Sequence, residues 1–220
     1  MAFPTGDSRS WQHHKGHVLV SVDGYDAIAC EPCEFIHVVP IPTSDELREY
    51  YATQFYSDSK PDYLESAARD REWLNIGYDA KFDMLDEAVG QLPKGRDKHR
   101  RILDIGSGPG HFLLRAKERG WDGVGLETAP EAVEFARSLG LEVHQGYFDG
   151  TDNWGLGTFD AIHMRHVLEH VPNPHHFLSS IEGLLRPGGS LCIEVSNDFS
   201  IIQEILFVGM DFPAWWVAPP

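Results

Sequence analysis

The fold is decided by the stretch Ile102-Leu103-Asp104-Ile105-Gly106-Ser107-Gly108-Pro109-Gly110-His111-Phe112-Leu113. Its first residues have the composition of a buried strand, and its last residues begin a helical pattern. The glycines between them permit a tight turn with positive φ and let the backbone approach a ligand closely, while the N–H groups of the following helix point back at the loop. The stretch therefore predicts a strand, a ligand-binding loop and a helix in succession.

Strand-like and helical stretches alternate from residue 101 onwards. The strand-like runs are RILDIG (101–106), DGVGLE (122–127), LEVHQG (141–146), FDAIHM (159–164) and SLCIEV (190–195). The helical patterns are HFLLRAKERG (111–120), PEAVEFARSLG (130–140) and PHHFLSSIEGLLR (174–186). This alternation predicts an α/β fold, a Rossmann-like parallel sheet with helices on both faces.

Two further elements precede this core. HVLVSV (17–22) and YDAIAC (25–30) flank Asp23-Gly24, a strong hairpin signal, so short strands are expected at the front of the chain. Helical patterns follow, and one carries an apolar stripe at steps of three and four residues: Leu74, Tyr78, Phe82, Leu85, Val89 and Leu92. We expect a small β element at 1–43, a helical lid over the ligand at 44–94 and the Rossmann-like core at 95–220.

The composition restricts the classes of partner. The 220 residues include 18 Lys and Arg against 34 Asp and Glu, which gives a formal charge of −16. Such a chain repels polyphosphate, so nucleic acid is not expected as a partner. The sequence has neither an apolar run long enough to span a membrane nor the pattern of a signal peptide at its start. These features predict no membrane partner and a cytoplasmic location.

Two carboxylates accompany the glycine loop. The spacing of Gly106, Gly108 and Gly110 is one residue shorter than the dinucleotide fingerprint, and Asp104 just before the loop would repel a pyrophosphate. Asp104 instead suits a cationic group such as an α-ammonium. Glu127 ends the next strand-like run, where its carboxylate can accept both hydroxyls of a ribose or, alternatively, bind the start of the helix that follows.

Four motifs together resemble the class I S-adenosylmethionine-dependent methyltransferases. They are LDIGSGPG (103–110), VGLETAPEAVEFAR (124–137), FDAIHMRHVLEHVPNP (159–174) and LLRPGGSLCIEV (184–195). The resemblance implies methyl transfer from the sulfonium of S-adenosylmethionine. It also implies a set of cofactor-binding residues: Asp104, Gly106, Ser107, Gly108, Gly110, Glu127, Thr128, Tyr147, Phe148, Met164 and Arg165. In the third motif Tyr147 or Phe148 is expected either to cover the purine by stacking or to pack beneath the loop.

Histidines concentrate after the fourth strand-like run. His166 is our candidate general base, since an unperturbed imidazole titrates near pH 6.5 and can deprotonate a hydroxyl near neutrality. Glu169 and His170 are further catalytic candidates. The segment looks like the metal-binding Glu-x-x-Glu-His of ubiquinone O-methyltransferases, but His166 stands at the first ligand position. A structural role for the Leu-Glu-His segment stays open.

A second constellation lies near the front of the chain. Cys30, Cys33 and His37 have metal-ligand spacing, and a fourth zinc ligand could come from His13, His14 or His17. The segment resembles the zinc-ribbon-like element of some bacterial methyltransferases that act on sugars and natural products. A reduced, unliganded cysteine pair and a redox pair are the alternatives.

The end of the chain is short for this fold. The methyltransferase fold normally adds two strands after its fifth, and only 24 residues follow Ser196. We therefore expect these strands to be missing and a second copy or another partner to cover that edge. The predicted acceptor is a small hydroxylated molecule, a sugar or a secondary-metabolite intermediate. The alternatives are a nicotinamide-dependent oxidoreductase and a non-catalytic zinc- or cofactor-binding module.

Overall fold

The protein is described by a computed structural model that covers residues 8–22, 24–56, 62–90, 100–150, 154–197, 200, 202 and 205. Contacts divide the chain into two compact units, one of residues 1–43 with 196–220 and the other of residues 44–195. The elements of the first unit are β1 (Ser8–Trp11), β2 (His14–Val22), β3 (Tyr25–Cys30) and β4 (Phe35–Val39). Those of the second are α1 (Ser44–Thr53), α2 (Tyr63–Arg69), α3 (Arg71–Gly90), β5 (Arg100–Ile105), α4 (His111–Glu118), β6 (Trp121–Glu127), α5 (Pro130–Ser138), β7 (Glu142–Gln145), β8 (Phe159–Arg165), a 3₁₀ turn (Leu168–His170), α6 (Pro174–Glu182) and β9 (Leu185–Glu194).

The first unit contains an antiparallel sheet in the order β1-β2-β3-β4. Val22 pairs with Tyr25, so the predicted hairpin is confirmed, although Asp23 itself lies outside the described residues. The buried core of this sheet is small and centres on Ile28, Cys30 and Val39. Among the described residues, the sheet therefore has few apolar contacts to hold it together.

The second unit contains a parallel sheet in the order β7-β6-β5-β8-β9. Side chains alternate along each strand, so one face of β5 and β8 packs on α6 and the other on α3 and α4. The predicted Rossmann-like sheet with helices on both faces is confirmed. β5 is the central strand, which places the glycine loop after it at the middle of the carboxyl edge of the sheet.

Helix α3 packs on this sheet through its apolar stripe. Tyr78, Phe82, Leu85 and Val89 of the predicted stripe are buried against β5, β8 and α4, while Leu92 lies outside the described residues. The Phe82 ring stacks on Phe112 with centroids 4.8 Å apart. Residues 44–90 thus contain the sheet-packed helix α3 and the shorter helices α1 and α2, and a lid over the ligand stays a prediction.

The predicted third core helix is too long by four residues. Helix α6 ends at Glu182, and Leu185 already pairs with Phe159 at the start of β9. The segment Pro187-Gly188-Gly189 lies inside β9 as an irregularity of its register rather than before the strand. Proline has no N–H for the ladder, and Gly188 has a φ of +79°, so the strand bulges here.

Strand β9 lies at one edge of the sheet as described. Three alternate apolar side chains are exposed here: Leu191 and Ile193 on the strand and Val195 directly after it. The covering of this edge by a second copy or a partner stays a prediction. Across the described ranges, the helices are all too short or too polar to cross a bilayer.

Candidate functional site

The glycine loop folds as the sequence predicts. Gly106, Gly108 and Gly110 all have positive φ, at 70°, 52° and 81°. The N–H groups of Gly106 and Ser107 donate to the Leu126 carbonyl at 2.8 and 3.1 Å, which ties the loop to β6. Helix α4 begins directly after the loop, so its first N–H groups face the carboxyl edge of the sheet.

A pocket opens at this edge. Most of the predicted cofactor-binding residues line it: Asp104, Gly106, Ser107, Gly108, Glu127, Thr128, Tyr147, Phe148 and Arg165. The catalytic candidates His166 and His170 also line it. The fold therefore brings together residues that lie more than sixty positions apart in the sequence.

Three predicted residues lie away from the pocket wall. Met164 is fully buried in the core on the α6 face, because strand alternation turns it away from the face of Asp104. Gly110 serves packing, since a Cβ there would lie 2.6 Å from a side-chain atom of Leu141. Glu169 is exposed and reaches the site through its contact with His166.

Glu127 fastens the loop to the start of α5. Its Oε2 accepts from the Gly108 N–H at 2.8 Å, and its Oε1 accepts from the Ala129 N–H at 2.9 Å. Burial raises the pKa of this carboxyl, although the hydrogen bonds from Ala129 and Gly108 act in the opposite direction. The alternative role at the helix start is thus present in the structure. The ribose contact stays a prediction, at a residue that does line the pocket.

Asp104 has a partner that the sequence reasoning did not identify. The Nδ1 of His163 lies 2.7 Å from its Oδ1, and both side chains are buried. The Phe112 ring stacks on the imidazole with centroids 3.7 Å apart. The two residues are 59 positions apart in the sequence and are paired across β5 and β8. Their contact depends on the register between these strands, which the sequence pattern does not give.

Several buried polar atoms on the pocket wall have no hydrogen-bond partner among the residues that the structure describes. They are Oγ of Ser107, both ring nitrogens of His111 and Nε2 of His163. Buried polar groups in native proteins are normally satisfied, so atoms of this kind suit a polar ligand. His111 was not among the predicted site residues, and its place as the first residue of α4 is what brings it to the pocket.

An aromatic wall covers the glycine loop, formed by Tyr51, Phe55, Tyr56 and Tyr63 from α1, α2 and their connection. Tyr56 Oη lies 3.5 Å from the position that a Cβ on Gly108 would take, so the loop and the wall are in close approach. Burial raises the pKa of the Tyr51 and Tyr56 phenols well above their usual range. These hydroxyls are therefore neutral at physiological pH.

His166 has an unusual backbone conformation at the pocket mouth. Its φ is +54°, in the left-handed region that non-glycine residues rarely adopt. Its backbone N–H donates to the Glu194 carbonyl at 2.9 Å, and its Nδ1 lies 3.1 Å from Oε1 of Glu169. The His170 ring contacts Tyr51 edge to face, with centroids 5.9 Å apart.

Glu194 links two cations beside the pocket. It pairs with Arg165 and, at 2.5 Å, with Nζ of Lys81. Burial acts to raise the pKa of this carboxyl, but its bonds to Lys81 and Arg165 outweigh that effect and lower the pKa to about 2. The arrangement holds Arg165 in place on the pocket wall.

The predicted metal ligands in the first unit come together. Cys30, Cys33 and His37 converge with His14, and the four potential ligand atoms lie within 4.8 Å of one another. Within the described ranges, these four side chains are the one group of three or more potential metal ligands that lie close together. His13 and His17 are not part of this group. The segment containing His166 and Glu169 forms no such group.

Comparisons with known proteins agree with this geometry. A family model described as a methyltransferase domain matches residues 47–219. A ubiquinone biosynthesis O-methyltransferase from Xanthomonas oryzae pv. oryzae is 32% identical over 120 residues, covering 52% of this chain and 50% of that protein. The protein of the same name from Xanthomonas campestris pv. campestris is 31% identical over an equally long stretch. The chain thus spans about half the length of the curated relatives it matches.

A solved structure shows the same fold. The S-adenosylmethionine-dependent methyltransferase from Archaeoglobus fulgidus aligns with a TM-score of 0.50 at 22% identity, over 63% of this chain and 58% of that one. The family model covers most of the chain, and the matched residues include the whole parallel sheet and the glycine loop. The chain therefore belongs to the class I S-adenosylmethionine-dependent methyltransferases.

Proposed function

We propose that this chain transfers a methyl group from S-adenosylmethionine to a hydroxyl oxygen of a small acceptor, a sugar or a secondary-metabolite intermediate. The observation that carries the proposal is the pocket in which Asp104 and Glu127 lie at the carboxyl ends of adjacent parallel strands, each within one residue of its strand's end, beside the glycine loop. Buried carboxylates at these positions suit a cationic head group and sugar hydroxyls, and they disfavour a pyrophosphate.

The chain holds the donor with its own polar groups. Asp104, oriented by His163, accepts from the α-ammonium group, and Glu127 accepts from the ribose hydroxyls. Tyr147 covers the adenine by stacking, whereas Phe148, which is buried against Phe177, packs beneath the loop. Gly110 and Met164 lie away from the pocket and do not contact the donor. When bound, S-adenosylmethionine supplies a methyl group already activated by its sulfonium.

His166 is the proposed general base. Its Nδ1–H donates to Glu169, and its Nε2 takes the proton from the acceptor hydroxyl. As the acceptor oxygen bonds to the methyl carbon, the carbon–sulfur bond breaks and its electron pair stays on sulfur. Glu169 acts as a positioning residue, because it contacts the base and not the reacting atoms. Orientation and exclusion of water by the aromatic wall supply much of the remaining acceleration.

The same pocket supports the proposed acceptor class. His166 and His170 lie at its mouth, beside the tyrosines of the aromatic wall. Phenols and imidazoles can hydrogen-bond a hydroxylated ligand, and the rings can pack against its carbon skeleton. The curated relatives named O-methyltransferases favour oxygen as the methylated atom.

A zinc ion in the first unit is a second, structural cofactor that takes no part in methyl transfer. The cytoplasm is the proposed location, where Cys30 and Cys33 remain reduced.

Calorimetric titration tests the donor. S-adenosylmethionine and S-adenosylhomocysteine should bind with micromolar affinity, and NADH should give no heat above dilution. Binding of NADH alone would favour the oxidoreductase alternative and contradict the proposal. Transfer of radiolabelled methyl to a panel of catechols, phenols and sugars then tests catalysis, and donor binding without any transfer would favour a non-catalytic module.

Replacement of the base tests the mechanism. His166→Gln should lower the methyl transfer rate by about 10²–10⁴-fold and leave the affinity for S-adenosylhomocysteine unchanged, since the side chain acts on the acceptor proton. His175→Gln is the matched control, because His175 is an exposed histidine on α6. Equal rates for wild type and His166→Gln would remove His166 from the mechanism.

A further inference from the structure

We infer that the amino-terminal β unit binds one structural zinc ion through Sγ of Cys30, Sγ of Cys33, Nδ1 of His14 and Nε2 of His37. The four side chains converge so that their ligand atoms lie within 4.8 Å of one another. Two thiolates and two imidazoles form a donor set that zinc prefers. The inference concerns a site separate from the proposed methyl transfer and does not depend on it.

The distances around His14 match the edges of a zinc tetrahedron. Its Nδ1 lies 3.3 Å from Sγ of Cys33 and 3.7 Å from Sγ of Cys30. Ideal bonds of about 2.3 Å to sulfur and 2.0–2.1 Å to nitrogen place the two ligand atoms about 3.6 Å apart across a tetrahedral angle. His14 is therefore already placed as the fourth ligand, in preference to its sequence neighbours His13 and His17.

The second histidine is oriented for coordination through one nitrogen. Nδ1 of His37 lies 2.9 Å from the Val38 carbonyl oxygen, so Nδ1–H donates and Nε2 carries the lone pair. That Nε2 is buried and has no hydrogen-bond partner in the described part of the chain. Metal-ligating histidines typically donate their other ring N–H to a carbonyl in this way. The His14 and His37 rings meet edge to face with centroids 4.8 Å apart, as two ligands of one ion can.

The Cys-x-x-Cys turn is folded to direct both thiols to one point. Strand β3 ends at Cys30, and the N–H of Glu34 donates to the Cys30 carbonyl at 3.0 Å. Glu34 has a φ of +60°, which reverses the chain immediately after Cys33. The thiols consequently face the start of β2, where His14 lies.

A site with four protein ligands is closed, which indicates a structural ion rather than a catalytic one. Within the described ranges, the sheet around it has a small apolar core, centred on Ile28, Cys30 and Val39. Polypeptide units this small usually need a metal, a disulfide or a partner for stability, and a metal that binds only the folded form adds its binding free energy to folding. Zinc binding would therefore stabilise the fold of this sheet.

The first test measures metal in the full chain as purified, by mass spectrometry of a desalted sample. We expect about one Zn²⁺ per chain, since the four ligands complete a single tetrahedral site. Co²⁺ added to the chelator-treated chain should give the strong visible absorption of a tetrahedral thiolate complex. A chain that neither retains Zn²⁺ nor gives this absorption has only thiol–imidazole hydrogen bonds here, and the inference fails.

Variants identify the fourth ligand without relying on the cysteines, whose replacement could prevent folding. His14→Ala should weaken Zn²⁺ binding by more than about 100-fold, the upper range for loss of an outer-shell partner. His13→Ala and His17→Ala are the matched controls and should keep wild-type affinity. Full affinity in His14→Ala, or a greater loss in either control, would overturn the assignment.

A positional readout separates zinc binding from a general loss of stability. Chelation of the full chain should increase hydrogen exchange in β2, β3 and β4. Exchange in the parallel sheet and binding of S-adenosylhomocysteine should stay unchanged. Exchange that rises equally in the parallel sheet would contradict a site confined to the first unit.

Discussion

Glu127 offers the sharpest test of how the glycine loop is held. Its carboxylate accepts from two backbone N–H groups, those of Gly108 and Ala129. Glu127→Ala leaves both buried donors unpaired, and each such donor costs about 1–3 kcal/mol. Removal of a buried carboxylate whose pKa is raised by burial offsets part of this loss. We expect the free energy of unfolding to fall by about 2–4 kcal/mol.

Glu127→Gln separates the two hydrogen bonds. Its amide oxygen can accept from one N–H, but its NH₂ group faces the other donor, so the expected loss is about 1–3 kcal/mol. Unfolding in urea, followed by tryptophan fluorescence, measures both variants. Glu134→Ala on the exposed side of α5 is the control and should stay within about 0.5 kcal/mol of wild type.

The same variants test the ribose contact. Under conditions where Glu127→Gln is folded, its affinity for S-adenosylhomocysteine should fall at least about tenfold, which corresponds to about 1.4 kcal/mol. Unchanged stability in Glu127→Ala would refute the reasoning about the loop. Unchanged affinity in a folded Glu127→Gln would leave the carboxylate with a structural role alone.

Three further perturbations follow from described contacts. Gly110→Ala combines left-handed strain with a 2.6 Å approach to a leucine side chain, so it should lower the free energy of unfolding in urea by about 2–4 kcal/mol. Gly120 has a φ of +79° but no atom within 4 Å of the added Cβ, so Gly120→Ala should lose only about 1–2 kcal/mol from strain. Equal losses in the two variants would contradict this reasoning. The folded pKa of Glu194 is about 2, below its ordinary 4.5, so its contribution is present above pH 4.5 and is lost as the pH falls towards 2. Urea unfolding across this range should show wild type losing on the order of 1 kcal/mol relative to Glu194→Gln, and a constant difference would argue against the ion pairs. Glu34→Gly should raise the stability of the zinc-loaded chain by about 0.5–1 kcal/mol, because glycine adopts a φ of +60° without strain, and a lower melting temperature would count against that account.

Local patterns in the sequence predicted the features that depend on neighbouring residues. The loop after β5 follows from glycines that must adopt positive φ, and the buried face of α3 follows from apolar residues at helical steps. Period-two alternation along β8 also predicts that Met164 and His163 lie on opposite faces of the strand. The cofactor assignment of Met164 rested on its position within a motif, which says nothing about the face of a strand.

Features that depend on strand register were not predictable. His163 meets Asp104 only because β8 pairs with β5 at that offset. The choice of His14 among three histidines depends on how β2 pairs with β3, and that pairing includes a register shift between Val18 and Val20. The partners of residues beyond a bulge cannot be counted from sequence spacing, so spacing alone does not identify which histidine is the fourth ligand.

The backbone of His166 has a consequence for how this protein can change. A left-handed conformation at a non-glycine residue costs on the order of 1–3 kcal/mol, and such strain gathers at functional sites. Glycine at position 166 would relieve it, so a selection for thermostability alone should favour His166→Gly. The same substitution removes the proposed base. Position 166 is therefore a place where selection for stability and selection for turnover act in opposite directions.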